Sequence, residues 1–294
     1  STLSESILSL PTEITVEIFR RCCAPDARSR PHPSEGPLLL AQICHQWRQI
    51  AIHAPEFWRD LNFTDRLSVD LFKLWLERSG NLPLKLELYG WDIARTGLCV
   101  VHSHRWQDVK FGLPFAFYTP NLGNISFPIL RSISLDNFHL AGRGEGSVTM
   151  YNTPLLREAH ILTLPDVKVN LLWSQLTSLT LRSTIDLAEC ITVLRGCPDL
   201  RKLTVFTSGQ GPVHTDFVVL PTLESLQCNF TTVPILEHLT LPRLQRLCVT
   251  DTARPQHADV LKNFIRRSAC PLHSLVIAGH NLGLEAFISC LTAL

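Results

Sequence analysis

Side chains able to do chemistry are thinly spread along this chain. His102 and His104 stand two apart and offer two imidazoles, the beginning of a metal site, but no third ligand follows at a matching spacing. Cys44 and His45 would make a thiolate–imidazole pair if they converged; as neighbours within a helical segment they point apart. Gly142-Arg143-Gly144-Glu145-Gly146 could cradle a phosphate only if a helix opened behind it, and no helical pattern follows, so it reads as a crossover loop. The G-x-S-x-G elbow, the Walker-type phosphate loop, H-E-x-x-H and G-x-G-x-x-G do not occur. Catalysis needs a nucleophile, a base and oxyanion donors that converge. The expectation is a non-enzymatic protein with no metal and no cofactor.

Bulk properties narrow the remaining classes. With 27 basic and 26 acidic residues among 294, the chain lacks the strong positive balance of a polyanion binder, so nucleic acid is not an expected partner. No apolar run reaches the 18 or so residues a membrane span requires. The stretch from Ser1 to Glu5 has neither a basic segment nor a continuous apolar core, so no secretory leader is expected. The 10 cysteines are scattered without a C-x-x-C pair, as expected of reduced thiols in the cytoplasm or nucleus.

What must position any binding residues is a repeat. Leucine fills 49 positions, and from the middle of the chain it keeps time. Apolar residues at relative positions 0, +3 and +5 occur as Leu130-Ile133-Leu135, Leu156-Ala159-Ile161, Leu176-Leu179-Leu181, Leu200-Leu203-Val205, Leu223-Leu226-Cys228, Leu244-Leu247-Val249 and Leu272-Leu275-Ile277. Trp106-Val109-Phe111 is a weaker first copy, and successive copies begin 20 to 28 residues apart. Side chains two apart on a strand share a face, so +3 and +5 predict a short strand with one buried side. One such unit cannot bury its face alone, but a parallel stack can. Prolines at 128, 154, 198, 221, 242 and 271 precede the strands and suit the turns leading into them. Leu187, Ile191 and Leu194, and later Val260, Leu261, Phe264 and Ile265, predict crossover helices; Leu284 to Leu294 reads as one more.

The first sixty residues follow another period. Leu10-Pro11-Thr12-Glu13-Ile14 opens a helix whose apolar face is Ile14, Ile18 and Phe19. A proline-rich loop runs from Ala24 to Pro37, and Leu39 through Ala51 predicts a second helix, ended by Pro55.

This stretch resembles an F-box. The matching residues are Leu10-Pro11, Glu13-Ile14 and Ile18-Phe19, then Leu38, Ile43-Cys44, Trp47-Arg48, Ile50-Ala51, Pro55, Phe57-Trp58 and Leu61. With the repeats behind it, the chain resembles fungal-type F-box proteins with leucine-rich repeats. Two further phrases are similar to that family: Leu76-Glu77-Arg78-Ser79-Gly80-Asn81-Leu82-Pro83-Leu84 and His102-Ser103-His104-Arg105-Trp106. The asparagine that usually follows each repeat strand is replaced by Phe138, Leu164, Thr184, Ser208, Thr231, Thr252 and His280.

The resemblance implies an α/β chain: a small helical F-box over 1–60, a transition with irregular repeats over 61–126, and a curved leucine-rich-repeat solenoid with a parallel β-sheet over 127–294. It implies a substrate-recognition subunit of a Skp–cullin–F-box ubiquitin ligase, with the Skp adaptor, and through it a cullin, as partners. By position, Leu10, Pro11, Ile14, Ile18, Trp47 and Trp58 would meet the adaptor. A target protein would be held on the outward strand positions, where Leu162 and Phe206 are apolar and Arg182, Lys202 and Arg246 would select an acidic or phosphorylated segment. The competing reading is a non-catalytic repeat scaffold acting outside any ligase.

Overall fold

The computed structural model describes residues 7–22, 32–63, 68–88, 93–112, 122–136, 146–162, 167–183, 187–207, 217–229, 231–250 and 256–278. Residues 24–31 of the proline-rich loop, the glycines at 142 and 144, Phe138, Leu164, Thr184, Ser208, Thr252, His280 and the segment 284–294 lie outside the described residues.

Three helices lead: α1 (Thr12–Cys22), α2 (Gly36–Ile43) and α3 (His45–His53). The single helix expected over Leu39–Ala51 is thus two. Cys44 between them is fully extended (φ −154°, ψ 169°), and its sulfur accepts the Trp47 backbone N–H at 3.5 Å as a cap on α3. Neither glycine nor proline marks this break. Arg48 Nε fixes it by donating to the Ala41 carbonyl at 2.6 Å, a cation at the negative end of α2. Phe19, Leu40, Ile50 and Ala51 form the small core, with Trp47 edge-on to Phe19 at 4.8 Å.

Behind the helices lies a ten-stranded, all-parallel sheet. Its members, in order across the sheet, are β1 (Asp60–Phe63), β2 (Leu84–Leu88), β3 (Trp106–Gly112), β4 (Ser132–Asp136), β6 (Glu158–Leu162), β8 (Ser178–Ser183), β9 (Lys202–Thr207), β11 (Ser225–Asn229), β13 (Arg246–Thr250) and β14 (Ser274–Ala278). Spatial order follows sequence order, so each crossover returns to the next position. Among the described residues four crossovers carry helices: α4 (Val69–Arg78), α5 (Ile93–Val101), α6 (Leu187–Arg195) and α7 (Gln256–Ser268). Others carry short strands that pair among themselves, β5 (Gly146–Met150) with β7 (Val167–Leu171) and β10 (Val218–Val219) with β12 (Leu239–Thr240).

The repeat spacing becomes two buried ladders. The +3 residues run in register as Leu61, Leu86, Val109, Ile133, Ala159, Leu179, Leu203, Leu226, Leu247 and Leu275; the +5 residues form the next row. From β2 to β13 both rows are buried, and the crossovers cover that side in one continuous core. The prolines act as expected in five turns. In each, the residue before the proline accepts from the leucine two beyond it, as in Leu130 N to Phe127 O and Leu200 N to Cys197 O, both near 3.3–3.4 Å. Thr231 takes over part of the missing asparagine's work, its hydroxyl donating to the Thr207 carbonyl of the preceding repeat at 2.6 Å.

Candidate docking surfaces

The leading helices cannot hide all their apolar side chains. Ile14 is 50% exposed and Ile43 is 52% exposed, and Ile7, Leu8 and Leu39 are also exposed. Leu39 and Ile43, four apart, share one face of α2 beside buried Leu40. Gln46 Nε2 donates to the Leu8 carbonyl at 3.1 Å and holds the turn Ile7–Ser9 beside the end of α2. Pro11 is exposed as α1 begins, and Thr15 returns its N–H (3.0 Å) and hydroxyl (3.1 Å) to the Pro11 carbonyl, which steadies that first turn. Fully covering a side chain of this size is worth roughly 1.5–3 kcal/mol, so closing over several half-covered ones would supply several kcal/mol.

Of the sequence-based set, Pro11 and Ile14 are exposed and Leu10 is half-buried. Ile18 and Trp47 are half-buried and largely spent on the small core. Trp58 requires correction. It is fully buried, its indole N–H donates to the Ala51 carbonyl at 2.7 Å, it packs edge-on to Trp75 at 4.6 Å, and Arg78 lies 4.5 Å above it. No partner can reach it. Trp58, Leu61 and Phe63 repeat the 0, +3, +5 spacing, and the tryptophan stands in the leucine's lead position of the first strand unit. Ile7, Leu8, Leu39 and Ile43 were missed as surface candidates. The surplus of apolar residues on α2, more than one face needs, was the available signal.

The sheet's other side has no layer over it among the described residues. There the five target-binding candidates divide. Arg182 on β8 pairs in register with Phe206 on β9, and its guanidinium lies 4.7 Å over the ring. Leu162 on β6 continues the same row, so these three sit on adjacent strands. Lys202 and Arg246 do not join them. They occupy the row at the opposite, N-terminal end of the strands, separated from each other by Ser225 of β11. Lys202 and Phe206 are four residues apart on one extended strand, roughly 13 Å.

The histidine pair lies at and before the turn Ser103–Arg105. Its rings are 6.4 Å apart, and among the described residues no group of three or more His, Cys, Asp or Glu side chains could hold a metal ion. The key residue of that phrase is Arg105, which is buried. Its Nε donates to the Leu82 carbonyl at 3.0 Å and one terminal nitrogen to Ser79 Oγ at 2.7 Å, while Ser79 Oγ donates to the Leu76 carbonyl at 2.9 Å. Arg105 thereby closes the end of α4, where Gly80 takes the left-handed conformation (φ +55°) that ends the helix. Burial lowers the Arg105 pKa from its ordinary value, and burial, then Arg105 and His104, lower that of His102. Buried thiols are pushed the other way, Cys197 and Cys228 up to about 12 by burial, so they stay protonated and unreactive.

The small helical unit thus leaves apolar side chains of α1, α2 and the leading turn exposed and is fixed to the larger sheet through Trp58. Residues 7–64 match the F-box-like family, an N-terminal domain of this chain. No curated protein matches the chain. Among the described residues, no helix is long and apolar enough to cross a membrane.

Proposed function

We propose that this chain is the substrate-recognition subunit of a Skp–cullin–F-box ubiquitin ligase, acting in the cytoplasm or nucleus and performing no chemistry itself. The F-box-like domain docks on the Skp adaptor through Leu8, Leu10, Pro11, Ile14, Leu39 and Ile43. The strands form a leucine-rich-repeat solenoid whose open face holds the target protein. The observation that carries this reading is the uncovered apolar side on a domain that already has a core of its own. One further feature agrees with it. Trp58 and Phe57 pack into the sheet's core, so the docking and capture surfaces are held in a fixed relation. Adaptor and target would therefore be presented at a set distance from each other.

Co-expression with the Skp adaptor tests the proposal. The chain is expected to co-purify with it, and Leu10→Ala with Pro11→Ala to weaken the complex. A chain that folds yet fails to retain the adaptor refutes it. Target turnover that persists without the cullin would instead favour the scaffold reading.

A further inference from the structure

Along the N-terminal end of the strands the outward row has a regular charge sequence. The row opens with Asp60 and Lys85 on β1 and β2; from β3 onward the cross-strand register reads Asp108, Ser132, Glu158, Ser178, Lys202, Ser225, Arg246, Ser274, one residue per strand. Over that stretch a charge therefore stands on every second strand, with serines between: two acids, then two cations. Neighbouring strands lie about 4.8 Å apart, so the charges recur about every 9.6 Å.

Local partners leave this pattern standing. Lys85 pairs with Asp108 at 3.9 Å and offsets part of its charge, with both side chains open to water, while among the described residues no carboxylate lies within ion-pair distance of Lys202 or Arg246. Arg157, next to Glu158, turns its guanidinium to the carbonyls of Leu156 (2.8 Å) and Pro154 (3.3 Å). Arg201 and Glu224, one residue before their strands, face each other at 4.0 Å and cancel.

We infer that this row binds an extended target segment in the polyproline-II conformation, with two basic residues followed or preceded by two acidic ones, each three positions from the next. The inference rests on the target-capture reading above. A β-strand laid across the row does not fit, because its side chains alternate and every third one points away. A polyproline-II helix has three residues per turn and rises about 3.1 Å per residue, so every third side chain shares one face at about 9.3 Å intervals. Over three intervals the mismatch is only about 1 Å. The basic pair lies over Asp108 and Glu158 and the acidic pair over Lys202 and Arg246. The reversal of sign midway fixes the segment's register, because a three-residue slip sets like charges together.

The test uses the full chain co-purified with the Skp adaptor and fluorescent peptides at low salt. One carries two Lys-Pro-Pro units then two Asp-Pro-Pro units, one has these blocks reversed, and one alternates the units at the same composition. One block order is expected to bind about tenfold more tightly than the alternating peptide. Lys202→Glu with Arg246→Glu is expected to transfer the preference to a peptide of four Lys-Pro-Pro units. Asp108→Lys with Glu158→Lys should transfer it to four Asp-Pro-Pro units. Equal binding of blocked and alternating peptides, or preferences unmoved in variants with unchanged circular dichroism, would overturn the inference. Retained adaptor in the same sample reports separately on the docking reading, so the two can fail independently.

Discussion

The F-box-like domain and the sheet solve opposite packing problems with the same residue types. In the domain, three short helices enclose four buried apolar residues and leave Ile14, Leu39 and Ile43 partly in water. In the sheet, each strand adds two apolar residues to rows already buried, so every repeat improves the burial of its neighbours. A small bundle runs out of interior before it runs out of leucines, whereas a stack does not. Apolar surface is therefore informative on the first and polar pattern on the second. The joint between them is Trp58, which reaches from the end of α3 into the sheet's core.

That joint offers the largest expected effect. Trp58→Ala removes a fully buried indole, its hydrogen bond to Ala51, the Trp75 contact and the Arg78 stacking. The expected loss is about 3–5 kcal/mol of stability, read from chemical denaturation, with adaptor capture declining in parallel. A variant that unfolds normally yet loses only the adaptor would restore Trp58 to the docking surface and break the comparison.

Ile14→Asp with Ile43→Asp should give the reverse signature. Both side chains are half in water, so the melting temperature should hold nearly constant while adaptor affinity falls about thirtyfold or more, the size of a lost hot spot. Thermal melting and a pull-down on one preparation separate the outcomes. A large drop in melting temperature would mean these residues serve the fold.

The sheet was legible where leucine itself kept the lead position. From β4 onward the 0, +3, +5 spacing named each inward residue, and the prolines named the turns. Its first two strands were harder to read. In β1 a tryptophan takes the lead position, and a buried tryptophan looks like an exposed one in sequence. At β2 the register shifts between Leu84 and Lys85: Leu84 pairs with the lead residue Trp106, so the unit reads 0, +2, +4 as Leu84, Leu86 and Leu88 and the period is lost. The break at Cys44 left no trace because an extended cysteine needs no special residue. The candidate cluster of five split because spacing within a repeat says which face a residue takes, while its height along the strand also matters. Leu162, Arg182 and Phe206 share the +6 position; Lys202 and Arg246 share +2.

Arg105 sharpens the comparison at smaller scale. Arg105→Ala leaves the Leu82 carbonyl and the Ser79 hydroxyl just past α4 without their donor and should cost about 1.5–3 kcal/mol. Arg105→Lys should recover little, because an ammonium cannot reach Leu82 and Ser79 with the same planar fork. Denaturation midpoints of the two variants decide the matter, and full rescue by lysine would reduce the role of Arg105 to charge alone.

The smallest effect comes from two ion pairs on the sheet's open side. Lys85 and Asp108 approach at 3.9 Å, with 46% and 36% of their side chains exposed. Lys110 and Asp136 approach at 3.2 Å, and the Asp136 side chain is only 5% exposed. Both span neighbouring strands, Lys85 directly opposite Asp108 and Lys110 diagonal to Asp136, and the burial of the carboxylates differs. Water and salt screen the first pair, and Lys85→Ala should change stability by no more than about 0.5 kcal/mol. Lys110→Ala leaves a buried carboxylate short of a cation and should cost about 1 kcal/mol or more, with a weaker dependence on salt. Ser134 Oγ, donating to Asp136 at 3.2 Å, keeps the loss from being larger. Equal effects of the two substitutions would mean that both strands meet solvent alike, and the polar side of the sheet would then be uniform where the burial of Asp136 says it is graded.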